Sequence, residues 1–240
     1  HIVSTLLQAY CREHMELFIV RRNFNSIYAD GSDLLQQLQA QTKVTLFEQD
    51  KETGLQELFE RLMAIMGERM QLRNEFVQQN GLTRGDPQNT VRAFEYIHAH
   101  STPLMVIFEN YYEFAKSLYD GQAVMFAELF RAQDPNTTSK KNNGYGYNIY
   151  YTACFGPGEY TLTAAQTPMA DCFNPQKFTL MFGGQLDKCG AVPLPRDYLA
   201  INEPDEHYNH CVMYYQGRLA GLSLPCGELV HVEPDPDEVP

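Results

Sequence analysis

The densest set of potential ligands is Glu203-Pro204-Asp205-Glu206-His207-Tyr208-Asn209-His210-Cys211, with three carboxylates, two imidazoles and a thiol. Zn²⁺ takes imidazole, thiolate and carboxylate at tetrahedral positions, so His207, His210 and Cys211 are the candidate metal ligands. Neighbouring positions on a strand point to opposite faces, which separates His210 from Cys211. The HxxH spacing fits neither the zincin helix nor a zinc finger. Calcium needs six to eight oxygen ligands, and no second acidic loop completes the set. The segment is read as a solvated acidic loop before a strand, and no metal or other cofactor is expected.

Nucleophilic catalysis requires a Cys or Ser within reach of a base. Cys154 with His207 or His210 is the pairing to consider, although a thiol in an apolar strand is usually an inert packed residue. Gly221-Leu222-Ser223-Leu224-Pro225 lacks the second glycine of a nucleophile elbow. Gly144-Tyr145-Gly146-Tyr147 lacks the third glycine of a dinucleotide loop. His98 and His100 diverge on a helix and suit its terminal carbonyls. Arg84-Gly85-Asp86 reads as a loop ending one helix and starting another.

Aromatic clustering is the remaining signal. Trp is absent, and 15 Tyr and 14 Phe supply the aromatic surface. Tyr111, Tyr112, Phe114 and Tyr119 fall on one expected helix. Tyr145, Tyr147 and Tyr151 share one face of an expected strand, with Tyr150 opposite. Tyrosine suits half-buried interfaces, so these seven residues other than Tyr150 are the candidate partner-binding set.

The elements that would carry these residues change character near residue 140. Ile2 to about Ile27 reads as a first helix, and Ser32 caps a short second one. Lys43 to Phe47 is brief and β-favouring. Thr53 and Gln56 form a capping box for a long helix that Asn80-Gly81 stops. Asp86-Pro87 and Thr102-Pro103 each resemble a helix start. The longest apolar segment, Pro103 to Phe108, closes at Glu109-Asn110. With the residues to Tyr119 and then Phe130 it reads as helix apolar nearly all round, buried centrally or at an interface.

Beyond Lys141 come short β-type runs: Tyr145–Phe155, Glu159–Ala164, Lys177–Phe182, Cys211–Tyr215, Arg218–Leu224 and Glu228–Val232. Gln216-Gly217 is a hairpin turn candidate. The expected fold class is α+β, an N-terminal α-helical bundle followed by a C-terminal antiparallel β-sandwich or jelly-roll-like module. The modules are 1–134 helical, 135–144 linker, 145–233 sandwich and 234–240 an acidic, Pro-rich tail. Pro157-Gly158-Glu159-Tyr160-Thr161-Leu162 with Phe178-Thr179-Leu180 resembles a hairpin in the C2-like sandwich domain of calpains. That resemblance covers some two dozen residues and implies a fold element only.

The chain has 240 residues and a formal charge of −12. The 14 basic and 18 acidic residues up to Lys141 leave −4, and the 4 and 12 beyond it leave −8. Clustered Lys and Arg, needed to replace phosphate counterions, are missing, which disfavours nucleic acid and anionic membranes as partners. No apolar run approaches the roughly 20 residues of a membrane span. The start at His1 reads as a processed or trimmed fragment. Six cysteines and the sequon Asn136-Thr137-Thr138 would suit a secreted chain with disulfides and a glycan at Asn136. The absence of close Cys pairs favours a cytoplasmic protein with buried free thiols. The expectation is a non-enzymatic adaptor or self-associating scaffold, partnered by itself and another protein. The alternatives are a Cys/His hydrolase or metal-dependent enzyme centred on His207 to Cys211, and a shell or coat subunit.

Overall fold

A computed structural model describes residues 15–22, 25–83, 86–130, 145–156, 158–167, 169, 172, 178–182, 189–192, 194–195, 210–215 and 217–223. Two compact units divide the chain: His1–Pro175 with Cys189–Ala191, and Gln176–Lys188 with Val192–Pro240.

The first unit is built on Glu-Leu-Phe-Ile-Val-Arg, strand β1 (Glu16–Arg21). Four consecutive apolar residues bounded by charge suit a strand covered on both faces. β1 pairs in parallel with β2 (Lys43–Glu48) on one side and β3 (Leu104–Phe108) on the other, and β3 pairs in parallel with β4 (Ile149–Ala153). The order is β2-β1-β3-β4. Parallel neighbours need crossovers, and helices supply them. Helix α1 (Asp33–Gln41) links β1 to β2, while α2 (Glu52–Gln79) and α3 (Pro87–His100) link β2 to β3. Helices α4 (Tyr111–Ser117) and α5 (Asp120–Phe130) follow β3, and α6 (Glu159–Gln166) follows β4.

Period-two alternation sends the strand side chains to two cores. Phe18, Val20, Val106 and Phe108 join Leu55, Leu58, Leu62 and Met66 of α2 and Phe114, Phe126 and Phe130 of α4 and α5. Leu17, Ile19 and Ile107 face Tyr28 and Leu38 on the other side, with Leu34 against them. The helices start where the local chemistry directs: Ser32 accepts from Leu35 N, Asp86 from Gln88 N and Asn110 from Glu113 N. No side chain caps α2, so Thr53 and Gln56 do not form the expected box there. A β-carbon at Gly54 would collide with the Glu48 carbonyl oxygen, which lets α2 begin tightly against the end of β2.

The second unit holds an antiparallel sheet, β5-β6-β7 (Phe178–Phe182, His210–Tyr215, Arg218–Ser223). Gly217 turns between β6 and β7 at φ 83°, as a tight hairpin requires.

The expected helical bundle followed by a β-sandwich is therefore overturned: the architecture is mixed α/β, with a parallel sheet interleaved with helices and a small antiparallel sheet. Three segments account for the difference. Leu17–Val20 and Leu104–Phe108 are strands, not helix. Tyr145–Phe155 contributes a parallel strand to the same sheet. Glu159–Gln166 is a helix, so the hairpin that resembled the calpain domain is not formed. Glu228–Val232 lies outside the described residues.

At the amino edge of the sheet, Arg69 of α2 is 5% exposed. It donates to Tyr147 O at 2.5 Å and Thr102 O at 2.7 Å, joining the helix to the segments that enter β4 and β3. Burial lowers its pKa to about 10, so it remains charged at neutral pH. Replacing it by Met keeps the packing stem and strands two carbonyls. We expect Arg69→Met to lower unfolding free energy by about 2–4 kcal/mol in a denaturant titration. Gly54→Ala should cost about 1–3 kcal/mol through the collision with Glu48.

Candidate functional site

Open parallel sheets bind ligands outside the carboxyl ends of their strands, where the strand order reverses. Here that point lies between β1 and β3, since α1 leads to one side of β1 and the α2–α3 crossover to the other. The residues leaving the strands there are Arg21 and Arg22, Gln49 and Asp50, Glu109 and Asn110, and Cys154.

Much of this edge is occupied by the protein's own loop. Arg21 is buried and donates to Tyr28 O, and its Nη2 reaches Asp30 Oδ1 at 2.8 Å and Glu48 Oε1 at 4.0 Å. Glu109 Oε1 accepts from Ser26 Oγ at 3.0 Å and Ile27 N at 2.7 Å. One guanidinium and one carboxylate thus fasten the β1–α1 connection across the crevice. Gly31 is the only glycine between Arg21 and Asp33, so this connection has no glycine-rich turn to cradle phosphate. Backbone bonds from Gln49 N to Arg21 O and from Glu109 N to Val20 O extend the strand pairing into the edge.

Beside this closed crevice lies a recess of about 260 Å³ lined by Arg22, Asn25, Gln49, Asp50, Glu113 and Ser117. Arg22 meets Glu113 at 3.8 Å, with both side chains partly in solvent. Gln49 is 3% exposed and its Oε1 has no hydrogen-bond partner among the described residues. A second groove, about 370 Å³, lies among α4, α5 and α6, lined in part by Leu118, Ala123, Val124 and Gln166.

Cys154 is exposed just beyond β4. Its thiol is raised above the ordinary value, chiefly because surrounding protein displaces water and secondarily by the charge of Glu109. The Tyr28 hydroxyl is raised above its ordinary value by burial, then by the charges of Cys154 and Glu109. A thiol held in its neutral form beside a carboxylate is poorly prepared for nucleophilic attack. Cys154 belongs to the first unit, whereas His210 and Cys211 open β6 in the second. Cys211 is buried. His207 and the acids from Glu203 to Glu206, like Asn136 and Cys226, lie outside the described residues. Among the described residues no group of three His, Cys, Asp or Glu side chains is placed to hold a metal, and Cys154, Cys172, Cys189 and Cys211 are free thiols.

The aromatic set divides by burial. Tyr111 and Phe114 are 0% exposed and pack with Phe108. The Tyr111 hydroxyl donates to Met169 O at 2.9 Å. Tyr147 is buried against Phe94, and Tyr151 packs on Phe130 with its hydroxyl raised by burial. Tyr145 opens a short 3-10 turn, Tyr145–Tyr147, and its side chain lies outside the described residues. Tyr112 is half-buried and Tyr119 is 68% exposed. His100 Nδ1 lies 2.8 Å from Tyr96 O, the terminal-carbonyl role its position suggested. Arg21, Gln49, Glu109 and Glu113 were not candidates from sequence. Their signal is positional: each stands at or just after the end of an apolar strand or in the helix after it.

No family model and no curated protein matches the sequence. Among solved structures it is similar to one titled "The cytoplasmic domain of EssC", with a TM-score of 0.58 and 11% identity over 93% of this chain. The chain spans 36% of that structure's length, and at this identity the likeness is one of fold. No helix among the described residues is long and apolar enough to cross a membrane.

Glu109 raises the Cys154 pKa, so removing its charge should lower that pKa and enlarge the thiolate fraction at a given pH. Alkylation of Cys154 should have a pH midpoint above that of an unhindered thiol, and Glu109→Gln should move the midpoint downward. An unchanged midpoint would leave displacement of water as the sole cause.

Proposed function

We propose that this chain is a protein–protein interaction module, an adaptor or scaffold that associates with itself, rather than an enzyme. The observation that carries the reading is the grouping of exposed apolar residues around α5 and α6. Val124 is exposed and lines the groove formed with α4, and Tyr119, Met125 and Leu162 are exposed on or next to the helices that form it. Single exposed apolar residues are ordinary, but a group flanking a groove suits a covered surface. Tyr112 and Tyr119 are the members of the aromatic set with solvent-facing surface, and they lie on α4 and just beyond it. The closed carboxyl edge supports the same reading from the other direction. Arg21 and Glu109, the charges best placed for chemistry, hold an internal loop instead.

The sheet architecture also suits a presenting surface. Its two cores are filled on both faces by the inward sides of the helices, so exposed positions on those helices can be altered without disturbing strand pairing. Self-association through α5 predicts a solution mass above the 27.5 kDa of one chain in sedimentation at tens of micromolar, an order-of-magnitude condition. Val124→Glu with Met125→Glu should return the protein to monomer with its circular dichroism unchanged, since both positions are exposed. A wild-type chain that sediments as a monomer would refute the self-association.

A further inference from the structure

We propose that the outer edge of β2 binds an extended peptide segment of another protein, adding it as a further strand to the parallel sheet. β2 ends the strand order β2-β1-β3-β4, and among the described residues it pairs with β1 alone. The main-chain bonds fix which of its groups face outward. Glu16 N donates to Pro103 O and Glu109 N to Val20 O, so the even-numbered residues of β1 serve β3. Gln49 N donates to Arg21 O, and by the same alternation Lys43, Thr45 and Phe47 turn their main-chain groups toward β1. Val44 and Leu46 therefore present N–H and C=O on the outer side, where no described residue bonds to them. Both residues are half-buried, so part of their surface meets solvent. The ends of this edge are closed: Thr42 N donates to Leu38 O, and Glu48 O accepts from Lys51 N. A row of unpaired main-chain groups on a terminal strand is a template for another strand.

The spacing of these groups selects the occupant. Residues two positions apart on a strand stand about 6.6 Å from each other, and an extended backbone repeats its own donors and acceptors at that interval. A helix has spent those groups internally, so it cannot answer them. Side chains narrow the segment further. Val44 and Leu46 lean into the core with Leu38, and Phe47 into the core beneath α2. A run of about five uncharged, β-branched residues continues both faces. A second copy of this chain fits less well. Opposed residues of an antiparallel pair share a face, and a two-fold axis preserves the faces, so even-numbered residues must oppose even-numbered ones. Matching Val44 to Leu46 in this way sets each Lys43 opposite the other copy's Phe47, which is 2% exposed. The adjacent register sets Glu48 opposite Val44 and needs the Glu48 carbonyl that Lys51 N already holds. This surface is separate from the association proposed through α5, and either can fail alone.

The test is a titration of the full chain with a capped Ser-Thr-Val-Thr-Val-Thr-Ser peptide, followed by amide NMR and hydrogen exchange. The control is the same peptide N-methylated at two adjacent central amides, which removes a donor from each side of its backbone. Saturable binding is expected, with shifted and slowed amides at Val44 and Leu46. The methylated peptide should bind ~10-fold more weakly or not at all, since its side chains are unchanged and only main-chain bonds are lost. Val44→Pro removes an outward N–H and no bond to β1, so it should weaken binding by ~10-fold while the β1–β2 amides keep their protection. The methylated peptide decides the matter on the unaltered chain even where that variant folds poorly. No saturable binding, or equal binding of the methylated peptide, would overturn the proposal. A dimer of the Val124→Glu, Met125→Glu chain that Val44→Pro disperses would overturn it in favour of a second copy as the occupant.

Discussion

The rest of the first unit depends on the two-sided parallel pairing of β1. A strand bonded in parallel on both edges cannot receive its neighbours through hairpins, so each must return by a crossover. That requirement places helices over the sheet and buries both faces of Leu17–Val20. It also collects the strand exits at one edge. The opposite edge is tied by the Arg69 guanidinium, which joins α2 to the entries of β3 and β4 through two carbonyls. Without a donor there, two carbonyls beneath a long helix would lack partners, and a buried polar group without a partner is more damaging than an absent one.

Part of this was legible in the sequence. Ser32, Asp86 and Asn80-Gly81 announce helix ends through chemistry local to a few residues, and the structure uses them. Gln216-Gly217 announces the β6–β7 turn for the same reason. Strand pairing is not local, and there the reading failed. Yet a signal existed: β1 is Glu-Leu-Phe-Ile-Val-Arg and β2 is Lys-Val-Thr-Leu-Phe-Glu. Aligned in parallel, Glu16 meets Lys43 at 2.7 Å and Arg21 approaches Glu48 at 4.0 Å. Opposite charges at both ends of two runs of equal length, Leu-Phe-Ile-Val and Val-Thr-Leu-Phe, favour the parallel register. Leu104–Phe108 was ambiguous because a short apolar run looks alike in a buried strand and a buried helix. Asn110 decides it, since it caps a new helix and so separates the run from α4.

The site was less legible than the fold. Tyr111, Tyr112 and Tyr119 share a residue type and a segment, but only tertiary packing distinguishes a ring against Phe108 from one in solvent. Residue type drew attention to His207, His210 and Cys211, where ligand chemistry is dense. Position in the topology, which a single sequence states weakly, drew together Arg22, Gln49, Asp50 and Glu113 from beyond three different strands. Such an assembly has no spacing motif because its members come together only when the parallel sheet is formed.

The carboxyl edge is held chiefly by its own charged side chains. Arg21 and Glu109 direct charged contacts to the β1–α1 connection, and Arg21 also approaches Glu48 at the end of β2, which makes the crevice at the strand-order reversal part of the scaffold. A group already engaged in two contacts must lose both before it meets a ligand, so this portion resists occupation. The adjacent recess gathers the Arg22–Glu113 ion pair and Asp50 beside the buried Gln49 amide, whose Oε1 has no hydrogen-bond partner among the described residues. The neutral thiol of Cys154 is not prepared as a nucleophile, and the Glu109 carboxylate beside it is already held by Ser26 and Ile27.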